Sequence, residues 1–104
     1  MAKIVRIAKE EAERRLSNVP EEHVFWCCDG SIYRNMRGLE EAFYSMSDDT
    51  FAFHANDSRN DFSNWVNDII GDDKLARDLS KSHDKAKAAK CVSDRITFLS
   101  AKLS

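Results

Sequence analysis

Apolar residues recur every fourth position near the start of the chain. The stripe consists of Ile4, Ala8, Ala12 and Leu16. This spacing places the four side chains on one face of an α-helix. Pro20 follows closely, and proline disfavours helical geometry in the residue before it. We therefore predict an N-terminal helix over residues 1–18.

The pattern changes to β-rich residues after Val24. Two such tetrapeptides, residues 25–28 and 31–34, flank Asp29-Gly30. A two-residue Asp-Gly link between β-rich segments is a strong signal for a hairpin with a type I′ turn. Side chains alternate along a strand, so Phe25 and Cys27 are predicted on one face of the hairpin and Trp26 and Cys28 on the other. Both faces are apolar, and we therefore expect helices to cover both.

Polar residues that favour helix N-caps precede the remaining apolar stripes. The predicted caps are Asn35, Ser47, Asn60 or Asp61, and Asp72, and the last helix is predicted from about His83. The first of these helices runs to Met46 and the second to about Ala55. Gly71 is predicted to terminate the helix that starts at Asn60 or Asp61.

Length and pattern together indicate one small domain. The chain has 104 residues, which suits a single core, because two cores of half that size would be hard to stabilise. We predict a mainly α (α+β) fold over residues 1–104, with one N-terminal β-hairpin and about five to six helices. Within it, residues 1–18 form the first helix, residues 22–80 the central part and residues 83–104 the last helix.

Charge is unevenly distributed, although the net charge is only -2. Residues 40–78 hold ten acidic and three basic residues, whereas residues 81–104 hold six basic and two acidic ones. An acidic middle followed by a basic end favours a charged protein partner or self-complementary packing. It argues against nucleic acid, which needs a concentrated basic face. No apolar run is long enough to span a membrane, so we expect a cytoplasmic protein without membrane insertion.

Three cysteines, Cys27, Cys28 and Cys91, lack the paired two-residue spacing that is typical of zinc sites. Free cysteine is commonly buried as a small apolar residue, so core packing is the favoured interpretation. With His23, the three thiols still offer the four ligands of a tetrahedral site. We predict neither a metal nor a cofactor.

Seven residues form a candidate binding or structural cluster, because they concentrate indole, imidazole, amide and carboxylate groups. They are Trp26, Asp29, His54, Asn56, Asn60, Asp61 and Trp65. These groups are suited to a ligand, a metal or acid and base chemistry. The same residue types also cap helices and fill cores, and this structural interpretation is preferred. No catalytic residue is predicted.

The order of motifs resembles a family of archaeal and bacterial proteins catalogued as a domain of unknown function. The matching segments are Phe-Trp-x-x-Asp-Gly at 25–30, Asn35 and Leu39, Phe-x-x-His-x-Asn at 51–56, Asn-Asp-Phe-x-x-Trp-Val at 60–66 and Gly-Asp-x-x-Leu-Ala at 71–76. The resemblance covers about residues 22–80. It implies an accessory module, because members occur alone or beside unrelated larger domains.

These observations lead to one functional expectation and one alternative. We expect a non-enzymatic accessory or protein-interaction subunit that docks on a larger cytoplasmic protein, with homo-oligomerisation left open. The alternative is a regulatory domain that binds a small ligand or a metal through His54, Asn60 and Asp61. An enzyme is disfavoured, because no serine, cysteine and histidine fall into a recognised order of nucleophile and base.

Overall fold

The computed structural model describes residues 7–103 of the chain, and within them the fold is mainly helical with one small hairpin. The helices are α1 (Lys9–Leu16), α2 (Met36–Ser45), α3 (Asp48–His54), α4 (Asp61–Trp65), α5 (Asp73–Ser80) and α6 (Lys85–Ala101), and the strands are β1 (Phe25–Trp26) and β2 (Ile32–Tyr33). A 3-10 turn (Glu21–His23) precedes β1, and a π-helical turn (Val66–Ile70) extends α4. The predicted fold class is confirmed.

The long helix α6 occupies the centre, with α1, α2 and α5 packed against it. Its Val92 and Leu99 are completely buried. A second part of the core is aromatic: Phe62 on α4 lies 4.9 Å from Phe43 on α2 and 5.2 Å from Phe25 on β1, measured between ring centroids. The hairpin is thus held by helices on its Phe25 face, as an isolated two-stranded hairpin requires.

Side-chain caps begin five of the helices. Asn35, Ser47, Asn60, Asp72 and Asp84 each accept a hydrogen bond from the backbone N–H three residues later, at 2.8–3.1 Å. Each bond satisfies one of the free N–H groups of a first helical turn. The caps predicted at Asn35, Ser47, Asn60 and Asp72 are confirmed, and the last helix begins after Asp84 rather than at His83.

The first helix is shorter than predicted. Ala8 has an extended backbone and precedes α1, so it does not continue the helical stripe of Ala12 and Leu16. Ile4 lies outside the described residues. Gly71 ends the helical run that begins at Asp61, as predicted, with a left-handed φ of 81°.

The hairpin turn is longer than the predicted two-residue loop. Trp26 pairs with Ile32, and Cys27 N–H donates to Ser31 O at 2.9 Å, so three residues lie between the last backbone partners. Gly30 alone in this turn has a positive φ, 92°. A type I′ turn needs positive φ at both central residues, whereas a three-residue loop needs it at the glycine only. Asp29 therefore does not need the positive φ that a type I′ turn would require of it.

Candidate functional site

His54 at the end of α3 lies in the aromatic part of the core and is 6 % exposed. Its Nε2 accepts a hydrogen bond from Cys28 N–H at 3.0 Å. Its Nδ1 lies 2.9 Å from Asp61 Oδ2. Since the Cys28 amide is a donor, Nε2 carries the lone pair and Nδ1 carries the proton that is donated to Asp61. His54 thereby joins the hairpin turn to the start of α4.

Asp61 is the first residue of α4, where a negative charge suits the helix dipole. Besides His54, its Oδ2 has Arg59 Nε at 3.3 Å. The carboxylate is thus engaged by an imidazole N–H and a guanidinium. Asp61 and His54 together form a clamp between α3 and α4.

Both candidate amide side chains, those of Asn56 and Asn60, form hydrogen bonds with backbone groups. Asn56 Oδ1 accepts from the N–H groups of Ser58 and Arg59, which shapes the loop before α4. Asn60 caps α4 and donates from Nδ2 to Leu79 O at 3.1 Å, which ties α4 to α5. Neither amide is left free to bind a ligand.

The two tryptophans have opposite environments. Trp65 is 7 % exposed, packs edge-on against Phe25 at 5.8 Å and donates from Nε1 to His23 O at 2.8 Å. Trp26 is 69 % exposed. The prediction that helices cover both hairpin faces is therefore wrong: the aromatic core can cover only the Phe25 face. Asp29 lies in the turn, where hydrogen bonds from Ser31 hold its carboxyl pKa below the usual range.

The structure brings Cys27 and Cys28 together with His54. The two Sγ atoms and a ring nitrogen of His54 all lie within 4.8 Å of one another. Cys27 is buried and Cys28 is exposed. The predicted placement on opposite strand faces is wrong, because β1 ends at Trp26 and both cysteines belong to the turn. Cys91 lies on α6, with its Sγ 3.4 Å from Ser82 Oγ.

The structure also contains a buried cluster of three charged residues that was not predicted from the sequence. It consists of Asp72, Arg15 and Arg95. Asp72 is completely buried and its Oδ2 accepts from Arg95 Nε at 2.8 Å and from Arg15 Nη1 at 3.0 Å. Burial alone would raise the pKa of Asp72, but the bonds from Arg95, Leu75 N–H and Arg15 hold it below the ordinary value. The cap at Asp72 was visible in the sequence. Its arginines lie 23 and 57 positions away, and no local pattern links them.

A groove of about 690 Å³ lies beside this cluster, between α1, α5 and α6. Arg15 and Arg95 line it at the base and Phe98 lines it from α6. Phe98 is 44 % exposed, and the Arg95 guanidinium and Lys102 ammonium lie over its ring at 4.9 and 4.8 Å. Arg95 bonds Asp72 through Nε. Its Nη groups have no acceptor within residues 7–103, and no side-chain nitrogen there is both buried and without a partner, so the Nη atoms reach the surface.

Searches of protein-family models, curated proteins and solved structures found no match to this chain. The family resemblance of residues 22–80 therefore stays a prediction. Among the described residues, none of the helices has the length and apolarity that crossing a bilayer requires.

Proposed function

We propose that this chain is a non-enzymatic interaction module that docks on a larger cytoplasmic protein through the groove between α1, α5 and α6. The observation that supports this most is the combination of an exposed phenylalanine with guanidinium donors on one concave surface. Protein interfaces typically join an apolar, often aromatic, centre to a polar rim. The groove offers both. Of its three helices, α1 and α6 lie outside residues 22–80 and α5 lies within them.

The charge of the groove indicates the chemistry of its partner. Its lining contains five basic residues, Arg15, Lys74, Arg77, Lys81 and Arg95, against three acidic ones, Asp73, Asp78 and Asp94. Asp72, which is bound to both Arg15 and Arg95, offsets one of these positive charges. The remaining surplus of one positive charge favours a partner surface with carboxylates. Arginine forks bind carboxylates with two parallel hydrogen bonds. The Nη groups of Arg95 have no acceptor among residues 7–103 and would suit such a contact. An apolar side chain of the partner would then pack on Phe98.

The cluster around His54 supports the alternative function less well. Asn56 and Asn60 are committed to backbone hydrogen bonds, and Asp61 is engaged by His54 and Arg59. General acid and base chemistry needs a ring nitrogen within reach of a substrate proton. Both ring nitrogens of His54 already have protein partners. These contacts favour a structural clamp over an acid–base site or a site for an organic ligand built on His54, Asn60 and Asp61.

Copurification of the untagged protein from its own cells tests the proposal. Substitutions at the surface are better suited to this test than a truncation. Deletion of residues 1–17 would also remove Ala12, which is completely buried, and would confuse lost docking with lost folding. We would instead compare Phe98→Ser with Tyr44→Ser, since Tyr44 is 69 % exposed on α2. Arg77→Glu is paired with Lys87→Glu, an exposed site outside the groove with the same change of charge.

The groove variants should lose the partner at salt concentrations where the wild type retains it, and the controls should keep it. Raising salt should slow association first, because charges at an interface rim act mainly on the rate of encounter. Equal retention by all four variants would refute docking through the groove. Recovery of a particle of twice the monomer mass, without a second protein, would refute the larger partner. It would show that the chain binds a second copy of itself.

A further inference from the structure

The hairpin turn and the end of α3 bring together three groups that bind soft and borderline metals. They are Cys27 Sγ, Cys28 Sγ and a ring nitrogen of His54, all within 4.8 Å of one another. Two thiolates and one imidazole form a donor set that zinc favours, with bonds of about 2.3 Å to sulfur and 2.0–2.1 Å to nitrogen. A tetrahedral ion holds such ligand atoms about 3.5–3.8 Å apart, so no pair of the three atoms needs to approach by more than about 1 Å.

The orientation of His54 is the second observation. Its Nδ1 donates to Asp61 Oδ2 at 2.9 Å, and this leaves the Nε2 lone pair directed at the Cys27-Cys28 turn. Histidine ligands of metals almost always donate their other N–H to a carboxylate or carbonyl, which fixes the tautomer and raises ligand basicity. Asp61 is itself held by Arg59 at 3.3 Å. The imidazole is thus already oriented as it is in a carboxylate–histidine–metal arrangement.

The turn can supply the remaining movement. Cys28 is exposed, so rotation about its χ1 angle carries its Sγ over several ångströms without displacing the core. Gly30 gives the turn a residue with open space around it. For the ion to bind, the Cys28 N–H has to leave Nε2, which it contacts at 3.0 Å.

We propose that Cys27, Cys28 and His54 bind one zinc ion, with Asp61 orienting His54 and the fourth position open to water. Binding releases the two thiol protons and forms two zinc–sulfur bonds and one zinc–nitrogen bond. The ion joins the hairpin turn to the end of α3. The proposal does not rest on docking, because the groove lies among α1, α5 and α6.

Metal titration of the reduced, metal-free full chain tests this site. The probes are Zn²⁺, in competition with a chromophoric chelator, and Co²⁺, read by thiolate-to-cobalt charge-transfer absorption. The wild type should bind one ion per chain and release two protons. Cys28→Ser is the main variant, because its exposed side chain is not needed for packing, and it should abolish the charge-transfer signal or weaken binding at least 100-fold. Asp61→Asn should weaken binding about 10- to 100-fold, the usual loss when an outer partner is removed.

Cys91→Ala is the matched control, since Cys91 on α6 lies outside the cluster, and it should bind like the wild type. Circular dichroism of each variant confirms that it is folded. Binding that Cys28→Ser and Cys91→Ala weaken equally would overturn the proposal in favour of adventitious thiol binding. A wild-type protein that takes up less than one tenth of an ion per chain would overturn it outright.

Discussion

Asp72→Asn is the substitution that tests the packing of the terminal helices most sharply. Asparagine has the same shape as aspartate and caps helices equally well, so it can still accept from Leu75 N–H, which lies 2.8 Å from Oδ1 in the wild type. It cannot pair with Arg95 and Arg15. The variant therefore removes the ion pairs and leaves the cap in place.

The magnitude follows from burial. Asp72 is completely buried and the side chains of Arg95 and Arg15 are 10 % and 15 % exposed. Removing one partner of a buried ion pair costs about 3–5 kcal/mol, because a buried charge is left without compensation. A domain of about 100 residues loses about 4–8 °C in melting temperature per kcal/mol. Asp72→Asn should therefore melt roughly 12–40 °C below the wild type.

Denaturant and thermal unfolding at neutral pH measure this loss, and Asp73→Asn is the control. Asp73 is the next residue, is 79 % exposed and has its nearest cation, Arg77, at 3.8 Å. A pair of this kind contributes about 0–1 kcal/mol. An Asp72→Asn protein within about 1 kcal/mol of the wild type would refute the cluster as a stabilising element.

The pH dependence gives a second check on the same variant. The pKa of Asp72 is lowered in the folded state, so its contribution is complete above the unfolded value of about 3.9 and is lost as pH falls through the lower folded value. The stability difference between wild type and Asp72→Asn should therefore be constant near neutral pH and shrink below about pH 4. A difference that grows on acidification would contradict this assignment.

Four further substitutions test the hairpin, the two tryptophans and the clamp, each by denaturant unfolding. Gly30→Val should cost roughly 1 kcal/mol or more, because its φ of 92° is unfavourable for a β-branched residue although nothing lies within 4 Å of an added Cβ; an unchanged midpoint would count against the turn. Trp65→Ala should cost about 3–5 kcal/mol, because the indole is buried against Phe25, whereas Trp26→Ala should stay within about 0.5 kcal/mol, because Trp26 is exposed; similar losses in both would contradict their different environments. His54→Phe should cost about 1–3 kcal/mol, because Cys28 N–H loses its acceptor, and a neutral result would remove the clamp from the account.

Sequence reasoning predicted the features that depend on neighbouring residues. The caps at Asn35, Ser47 and Asp72 and the left-handed Gly71 are set within one helical turn, and the sequence shows them directly. The hairpin was predicted at the right place with the wrong register. The Asp-Gly signal does not distinguish a two-residue loop from a three-residue loop that also ends in glycine.

Contacts between distant segments could not be predicted in the same way. His54 accepts a hydrogen bond from Cys28, 26 positions away. Asp72 meets Arg15 only after α1 packs against α6. The same limit applies to the exposure of Trp26, which depends on which hairpin face the helices cover. The candidate residues were thus identified by type, whereas their roles depend on packing.

Native mass spectrometry of the untagged chain, isolated gently from its own cells at two salt concentrations, tests the proposed function most directly. We predict that the chain, 11.9 kDa on its own, is recovered at low salt in a complex with one larger protein. Phe98→Ser should release it from this complex, whereas Tyr44→Ser should not. Recovery of free monomer at both salt concentrations, with a small molecule tightly held, would contradict docking and favour the ligand-binding alternative.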